Sequence, residues 1–214
     1  MKPELSIILP SIQTERLESL YESILKSTKR TFELIICGPN QLPESLKDLK
    51  NIKFVKDYGS PVRASNIAAS LCEGKIYTWF ADDCILFEDS LDKCIDQFEL
   101  FNIAFLHADF FNSLGGWDCS YEGTWASHAD MAIRAQFMGA KVTMAQVPLF
   151  TCDHMPGGTG DHMPIFICQH QHDEPLLHQR YRDPNWTSNI NSRLAMDNWK
   201  KAPTVWERRF KNEV

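Results

Sequence analysis

The sequence lacks the features that mark membrane, secreted and nucleic-acid-binding proteins. Its apolar runs are short, and none approaches the roughly 18 residues that a membrane span needs. No apolar stretch leads to a small-residue cleavage site, so we expect no secretory signal. Basic residues are scarce, because 22 lysines and arginines face 28 aspartates and glutamates, which gives a formal charge of −6. That deficit argues against binding to nucleic acid and against adhesion to anionic lipid.

Disulfide chemistry is not indicated either. The seven cysteines form no CxxC pair, and their number is odd. Without a secretory signal we expect reduced thiols, mostly small core residues, in a cytoplasmic protein with no integral membrane segment. Neither glycine (10) nor proline (11) is enriched, and 43% of the residues are hydrophobic. This is an ordinary globular composition, and the length favours a single domain that covers residues 1–214.

The first half of the chain alternates apolar runs with amphipathic segments. Continuous apolar runs are typical of strands that are covered on both faces. Helical spacing of apolar residues predicts helices that begin near Thr14, Pro61 and Ser90. Repeated β–α units of this kind predict an α/β fold, with a mainly parallel central sheet and helices on both faces. The predicted strands span residues 5–9, 32–37, 52–55 and 76–80.

Ligands of such sheets bind beyond the carboxyl ends of the strands. Three dipeptides lie at predicted strand ends, so we expect them to line one crevice: Pro10-Ser11, Cys37-Gly38 and Asp82-Asp83. The two adjacent carboxylates are the main chemical signal, because carboxylate oxygens suit hard divalent cations such as Mg²⁺ and Mn²⁺. The alternative is a solvated turn that carries two aspartates.

The second half is less regular. We predict a helix over residues 128–138 that is ended by Gly139. Residues 151–173 are rich in glycine, proline, histidine and aspartate, and they predict a long loop. The remaining predicted elements are strands over 101–106 and 141–145 and helices over 187–201 and 204–211.

Four motifs occur in an order that resembles family 2 glycosyltransferases. Residues 60–83 resemble the family's central block, in which an A-R-N helix, an A-x-G turn and a hydrophobic strand lead to a D-x-D metal motif. Residues 6–11 (SIILPS) resemble its first strand, and residues 114–118 (LGGWD) resemble its G-G-F-D element. The segments DMAIR (130–134) and GAKV (139–142) resemble its D-L-x-x-R helix and the strand that follows. Together the motifs cover about residues 5–155.

The resemblance implies a GT-A fold, a nucleotide-sugar donor (a UDP-sugar first of all) and a divalent cation, Mn²⁺ or Mg²⁺. It also implies inverting transfer to a glycan or small-molecule acceptor. Residues 1–110 would bind the donor, and residues 111–214 would form the acceptor side with the long loop and a helical C-terminus.

The resemblance also assigns roles to individual residues. Asp83 and His154 would hold the cation. The base that deprotonates the acceptor would be Asp130 as first choice or His128 as second. On the acceptor side we place Gly116, Trp117 and Trp125, with a sugar stacked on one tryptophan, although such aromatics also occur as packing residues. The donor-binding residues would be Pro10, Ser11, Arg63, Asn66 and Asp82.

The sequence departs from the family pattern in ways that keep other functions open. Cys37-Gly38-Pro39 stands where the family has an acidic pair that holds the nucleotide base, and Ala81 replaces the first carboxylate of D-x-D. A module that binds a nucleotide or glycan without transfer is therefore the alternative. The sequence has no HExxH motif, which argues against a hydrolase metal centre. It also lacks the glycine-rich, basic signature after the first strand that a nucleotidyltransferase would show. The Gly157–Gly160 run fits a flexible lid or a phosphate cradle.

Overall fold

The computed structural model describes residues 2–97, 105–141, 148–153, 158–185, 187 and 194–214. The strands are β1 (Leu5–Pro10), β2 (Phe32–Gly38), β3 (Ile52–Lys56), β4 (Ile76–Trp79), β5 (Cys84–Leu86), β6 (Leu106–His107) and β7 (Phe150–Cys152). The α-helices are α1 (Leu17–Ser27), α2 (Glu44–Lys47), α3 (Pro61–Ala69), α4 (Ser90–Gln97), α5 (Ala108–Leu114), α6 (Thr124–Phe137), α7 (Met163–Cys168), α8 (Glu174–Tyr181) and α9 (Glu207–Phe210).

The central sheet has five strands in the order β3-β2-β1-β4-β6. Strand β1 pairs in parallel with β2 and β4, and β2 pairs in parallel with β3, whereas β6 is antiparallel to β4. The register places Pro10 opposite Cys37, so the carboxyl ends of β1 and β2 are level. Strands β5 and β7 form a separate antiparallel pair. The predicted mainly parallel sheet is confirmed.

Side chains of β1 alternate between two apolar layers. Leu5, Ile7 and Leu9 pack with the buried face of α1 on one side of the sheet. Ile8 points to the other side, where it packs with residues of α3 and α5. Helices therefore cover both faces, as predicted. This burial on both faces is why β1 is apolar apart from Ser6, which is itself buried.

Helix α3 begins at Pro61, as predicted. Ser60 accepts a hydrogen bond from the backbone N–H of Arg63 (3.2 Å) and thereby caps the helix. Residues 62–69 are all buried, because α3 packs against β1, β2 and α6 at once. Polar side chains of this helix must therefore find partners inside the protein.

Helix α6 differs from its prediction at the N-terminus. It begins at Thr124 rather than at residue 128, and the preceding residue, Gly123, has no side chain that could cap it. His128 and Asp130 therefore lie in the second turn, so the predicted placement of both at a helix start is wrong. The C-terminus follows the prediction, with Gly139 at φ +89° directly after the helix.

The predicted loop over 151–173 is wrong for most of its described residues. After the end of β7, a 3₁₀ turn (Gly160–His162), α7, a π-helical turn (Gln169–Asp173) and α8 follow one another. Pro164 and Pro175 stand in the first turns of α7 and α8, where a missing N–H costs nothing. These prolines therefore start helices instead of breaking them.

The remaining predictions fall partly outside the described residues. The strand over 141–145 and most of the strand over 101–106 cannot be compared, and the same holds for much of the helix over 187–201. In its described part, Asn198–Lys201 is a 3₁₀ turn. Every helix in the described ranges is too short or too polar to traverse a bilayer.

Candidate functional site

The three predicted strand ends do line one crevice, which has a volume of about 490 Å³. Pro10-Ser11, Cys37-Gly38 and Asp82-Asp83 form its floor. The first two turns of α6 also line it, through Trp125 and His128, and the C-terminal segment adds further residues. The volume lies within the range of small-molecule sites. The residues at the C-terminal rim are Trp206, Arg209 and Phe210.

The ends of β1 and β2 approach each other so closely that only glycine fits at position 38. A Cβ atom there would lie 1.8 Å from the carbonyl oxygen of Ser11. The backbone N–H of Ser11 donates to the carbonyl of Cys37 (3.0 Å), which fixes this approach. The crevice floor is therefore preformed by backbone contacts between neighbouring strands.

Asp82 binds the segment that follows β1. Its Oδ2 accepts hydrogen bonds from the Ser11 hydroxyl (2.9 Å) and from the backbone N–H groups of Ile12 and Gln13 (both 2.8 Å). The carboxylate thus connects the ends of β1 and β4 and positions the segment that enters α1. In this structure Asp82 shapes the predicted donor site by holding Ser11.

We expect Asp82→Ala to lower the free energy of unfolding by about 2 kcal/mol, because it leaves two backbone N–H groups and a hydroxyl without their charged acceptor. Urea unfolding monitored by tryptophan fluorescence measures this loss. Ser11→Ala removes one of the three hydrogen bonds and should cost about 1 kcal/mol. Equal stability of Asp82→Ala and the wild type would show that water replaces the carboxylate without cost.

Asp83 also lines the crevice, beside two thiols. Its Oδ1 lies 3.9 Å from the Cys84 Sγ, and ligand atoms of Asp83, Cys84 and Cys152 all lie within 4.8 Å of one another. Burial, together with the nearby carboxylates, raises the pKa of the Cys84 thiol to about 11. These residues could hold a cation. His154, the second predicted ligand, lies outside the described residues.

Arg63, predicted to bind the donor, is not among the residues that line the crevice. Its Nε lies 3.1 Å from both carboxylate oxygens of Asp57. Its Nη1 donates to the carbonyl of Trp199 (2.6 Å), and the guanidinium lies over the Trp199 ring. Arg63 therefore anchors the C-terminal segment, whereas Asp57 itself lines the crevice.

Asn66 is fully buried and does not line the crevice either. Its Nδ2 donates to the Trp117 carbonyl (2.6 Å), and its Oδ1 accepts from the Trp117 N–H (3.0 Å). Gly116 has φ +72°, and a Cβ there would lie 2.4 Å from the Asn66 Oδ1. Asn66 and Gly116 thus fix a tight turn, and this turn positions the Trp117 ring.

The two predicted stacking residues lie in different environments. Trp117 is only 1% exposed and packs edge-on against Trp79, with ring centroids 4.9 Å apart. Trp125 is 46% exposed and lines the crevice. Trp79 also lines the crevice, so Trp117 supports its wall from behind. Of the pair, Trp125 is the one placed to stack on a ligand.

The two predicted bases lie on different faces of α6. His128 is partly buried and lines the crevice, with its ring 5.6 Å from that of Trp79. Burial lowers the pKa of His128 to about 4, so the ring is neutral at pH 7. Asp130, our first choice, is fully buried and is not among the residues that line the crevice. Its carboxylate binds Arg134 (2.7 Å), Arg180 (3.0 Å) and Tyr181 (2.6 Å).

Sequence reasoning considered Asp173 only as a ligand of the alternative hydrolase metal site and missed its position: it lines the crevice and holds the start of α6. Its carboxylate accepts from the backbone N–H groups of Glu122 (3.0 Å) and Gly123 (2.6 Å) and lies 2.7 Å from the His172 Nδ1. This anchor comes from 50 residues away in the chain. No local pattern could reveal it, which also explains why the start of α6 was misplaced.

The comparisons with known proteins concern the fold. The chain matches no protein-family model, and no curated protein matches it in sequence. The crystal structure of S. aureus TarS is similar over 78% of this chain and 39% of its own, with a TM-score of 0.56 and 14% identity. The catalytic domain of Drosophila β1,4-galactosyltransferase 7, complexed with xylobiose, is similar over 91% and 83%, with a TM-score of 0.54 and 13% identity.

Structures of TarS residues 1–349 match a smaller part of the chain. Free and with UDP, they match 46% of this chain and 32% and 33% of theirs, with TM-scores of 0.38 and 0.37 and identities of 21% and 22%. The chain therefore spans about a third of the length of these TarS chains. The more extensive matches show that the chain has the mixed α/β fold of GT-A glycosyltransferases. The fold implied by the sequence motifs is thus confirmed.

Proposed function

We propose that the chain is a glycosyltransferase that moves a sugar from a nucleotide-sugar donor, a UDP-sugar first of all, to an acceptor hydroxyl. One observation carries the proposal: a GT-A sheet brings Ser11, Asp82 and Asp83 to one crevice, which Trp125 and His128 also line. A fold shared with the catalytic domain of a galactosyltransferase supports a hexosyl-type reaction. The division into a donor half (1–110) and an acceptor half (111–214) is part of the proposal.

The chemistry of the strand end fits a cation. The Asp83 carboxylate lines the crevice, and two further ligand-type side chains lie beside it. A divalent ion held there, Mn²⁺ or Mg²⁺ as the motif resemblance implies, would neutralise the charge of the departing diphosphate. His154 would complete the set from the segment after β7.

The chain's own residues have distinct tasks in this proposal. Asp82 fixes the N–H groups that follow β1, so that the donor meets a preformed surface. Trp125 offers an exposed ring on which a sugar can stack. His128 takes the acceptor proton on a ring nitrogen, because the ring is neutral at pH 7 and reaches the crevice. Asp130 contributes only by holding α6 in position.

A thermal-shift panel tests the proposal with UDP-, GDP-, CMP- and dTDP-sugars, each with and without Mn²⁺. A donor at a hundredfold excess over its Kd should stabilise the protein by about 2.7 kcal/mol. For a donor that stabilises the protein, turnover is measured by release of the nucleotide. If no nucleotide-sugar shifts the unfolding temperature under any condition, the proposal fails.

One observation favours the alternative, a binding module without transfer. The first-choice base is buried in an ion-pair network, and the residue that does reach the crevice is a weak base with a pKa of about 4. Stabilisation by a nucleotide-sugar without release of nucleotide in the presence of acceptor sugars would support the module.

Asp83→Asn should abolish Mn²⁺-dependent donor binding, because it removes the charged carboxylate ligand that Mn²⁺ favours while leaving the side-chain shape unchanged. Calorimetric titration of the donor with and without cation measures the difference. Asp153→Asn is the matched control, since Asp153 lies at the end of β7 with its side chain 88% exposed. Unchanged cation dependence in Asp83→Asn would remove Asp83 from the cation site.

A further inference from the structure

The pairing of β5 with β7 places two cysteines directly opposite each other. The register pairs Cys84 with Cys152. The flanking ladder bonds run from the Asp153 N–H to the Asp83 carbonyl (3.1 Å) and from the Phe87 N–H to the Leu149 carbonyl (3.0 Å). Hydrogen-bonded and non-hydrogen-bonded pairs alternate along an antiparallel ladder, so the cysteines occupy a non-hydrogen-bonded position. At such positions the Cα atoms are about 4.5 Å apart and the side chains are closest.

Opposite residues of an antiparallel pair project from the same face, and here that face turns to the crevice. Asp83, Cys84 and Cys152 all line it. A cation can therefore reach the three side chains from the same opening that would admit a donor. An entry path is one requirement of a metal site, and a suitable set of ligand atoms is the other.

The three ligand atoms have separations that suit tetrahedral coordination. Around Zn²⁺, with bonds of about 2.3 Å to sulfur and 2.0 Å to oxygen, neighbouring ligands are separated by about 3.5–3.8 Å. The Cys84 Sγ and the Asp83 Oδ1 are 3.9 Å apart, and all three ligand atoms lie within 4.8 Å. Shifts of up to about 1 Å would complete three corners of a tetrahedron and leave the fourth open, as in catalytic zinc sites.

We propose that Asp83, Cys84 and Cys152 form one binding site for a thiophilic divalent cation such as Zn²⁺. The two sulfur ligands set its selectivity, because thiolates favour Zn²⁺ and its analogues Co²⁺ and Cd²⁺, whereas carboxylates alone suit Mg²⁺ and Mn²⁺. The fourth, open position would accept water or a phosphate oxygen. The inference deepens the proposed donor site, since the cation is the one at Asp83, but it is testable without a donor.

The test uses the full chain, reduced and freed of metal, and titrates it with Co²⁺ or Cd²⁺ alone. We expect one equivalent to bind and to produce a sulfur-to-metal charge-transfer band that a large excess of Mg²⁺ does not remove. Cys152→Ser should weaken Cd²⁺ binding at least about tenfold, the lower end of the cost of losing even an outer-shell partner. Cys152 is exposed, so this variant should fold.

Matched variants separate the contributions of sulfur and oxygen. Like Cys152→Ser, Cys84→Ser should weaken Cd²⁺ binding, and it should also diminish the charge-transfer band. Asp83→Asn should keep the band and weaken the affinity. Cys72→Ser is the control, because that thiol lies three residues after α3 and contacts the Ala68 carbonyl, which a serine hydroxyl can also contact. Its band and affinity should equal those of the wild type.

Three results would overturn the inference. They are a wild-type spectrum without a sulfur band, a band that persists when both cysteines are replaced, or a disulfide between Cys84 and Cys152 in a protein that binds no Cd²⁺ after reduction. Donor binding is scored separately. A sulfur band without any nucleotide-sugar binding contradicts only the proposed function, and Mn²⁺-dependent donor binding without the band contradicts only this inference.

Discussion

Asp130→Asn is expected to lower the free energy of unfolding by about 3–5 kcal/mol, the cost of breaking a buried ion pair by removing one partner. The Asp130 carboxylate and the Arg134 guanidinium are both almost inaccessible to water, and Nε lies 2.7 Å from Oδ2. An asparagine fills the same space but leaves the Arg134 charge in the interior without its counter-charge. Arg180 Nη1 (3.0 Å) and the Tyr181 hydroxyl (2.6 Å) also donate to the Asp130 carboxylate, and they lose its negative charge as well.

Asp130→Asn should also disturb the wall of the crevice. Arg134 also donates to the carbonyls of Leu114 (2.9 Å) and Gly116 (2.8 Å), which form the turn that positions Trp117. If Arg134 rearranges to find water, this turn loses its support. We therefore expect the near-ultraviolet circular dichroism of the tryptophans to change along with stability.

Urea unfolding at constant pH measures the effect, with the midpoint and the slope fitted separately. Asp197→Asn is the matched control, because Asp197 forms an exposed ion pair with Lys200 three residues along the chain. That substitution should leave the free energy of unfolding essentially unchanged, since exposed pairs contribute little. If Asp130→Asn proves as harmless as the control, the Arg134 charge is compensated by other groups and the network is less important than its burial suggests.

The central sheet could be predicted because each of its main strands carries its own signal. β1, β2 and β4 are mainly apolar, since both faces are covered, and they lead to Pro10-Ser11, Gly38-Pro39 and Asp82-Asp83. The crevice followed from the rule for strand ends without knowledge of any contact. Pro61 with Ser60 before it likewise predicted a helix start from local chemistry alone.

The rest of the site depends on contacts between segments far apart in the chain. Asp130 matched a sequence motif, but its partners Arg180 and Tyr181 come from α8, about 50 residues later. Cys152 joins Asp83 only through the pairing of β7 with β5. No spacing rule links such residues, so a single sequence could identify candidates for the base and the cation ligands but could not place them on the correct face.

The two candidates for the base lie in different surroundings. Asp130 is committed to three partners in the interior, whereas His128 borders the crevice beside Trp79. A base must come within hydrogen-bond reach of the acceptor hydroxyl, so His128 now takes the first position in the proposed mechanism. Its low pKa means that it is unprotonated at neutral pH but accepts a proton only weakly.

His128→Gln is expected to lower kcat by about 10²–10⁴-fold, toward the lower end of that range because a base with a pKa of about 4 is weak. Glutamine keeps a polar side chain of similar length against Trp79 but cannot take up a proton, so donor affinity should stay at the wild-type value. His178→Ala, on α8 and away from the crevice, is the control and should retain full turnover.

The pH dependence gives an independent test with a fixed sign. The imidazole must be unprotonated to act, so wild-type turnover should be constant from roughly pH 5.5 to 8 and should fall as the pH drops through about 4. The residual activity of His128→Gln should lack that fall wherever the protein remains folded. A wild-type profile governed by a group near pH 6.5 would mean that His128 is more exposed to water in the donor complex. A variant with unchanged kcat would instead show that another group takes the proton. The next residue to replace would then be Asp173, a crevice carboxylate that holds the start of α6.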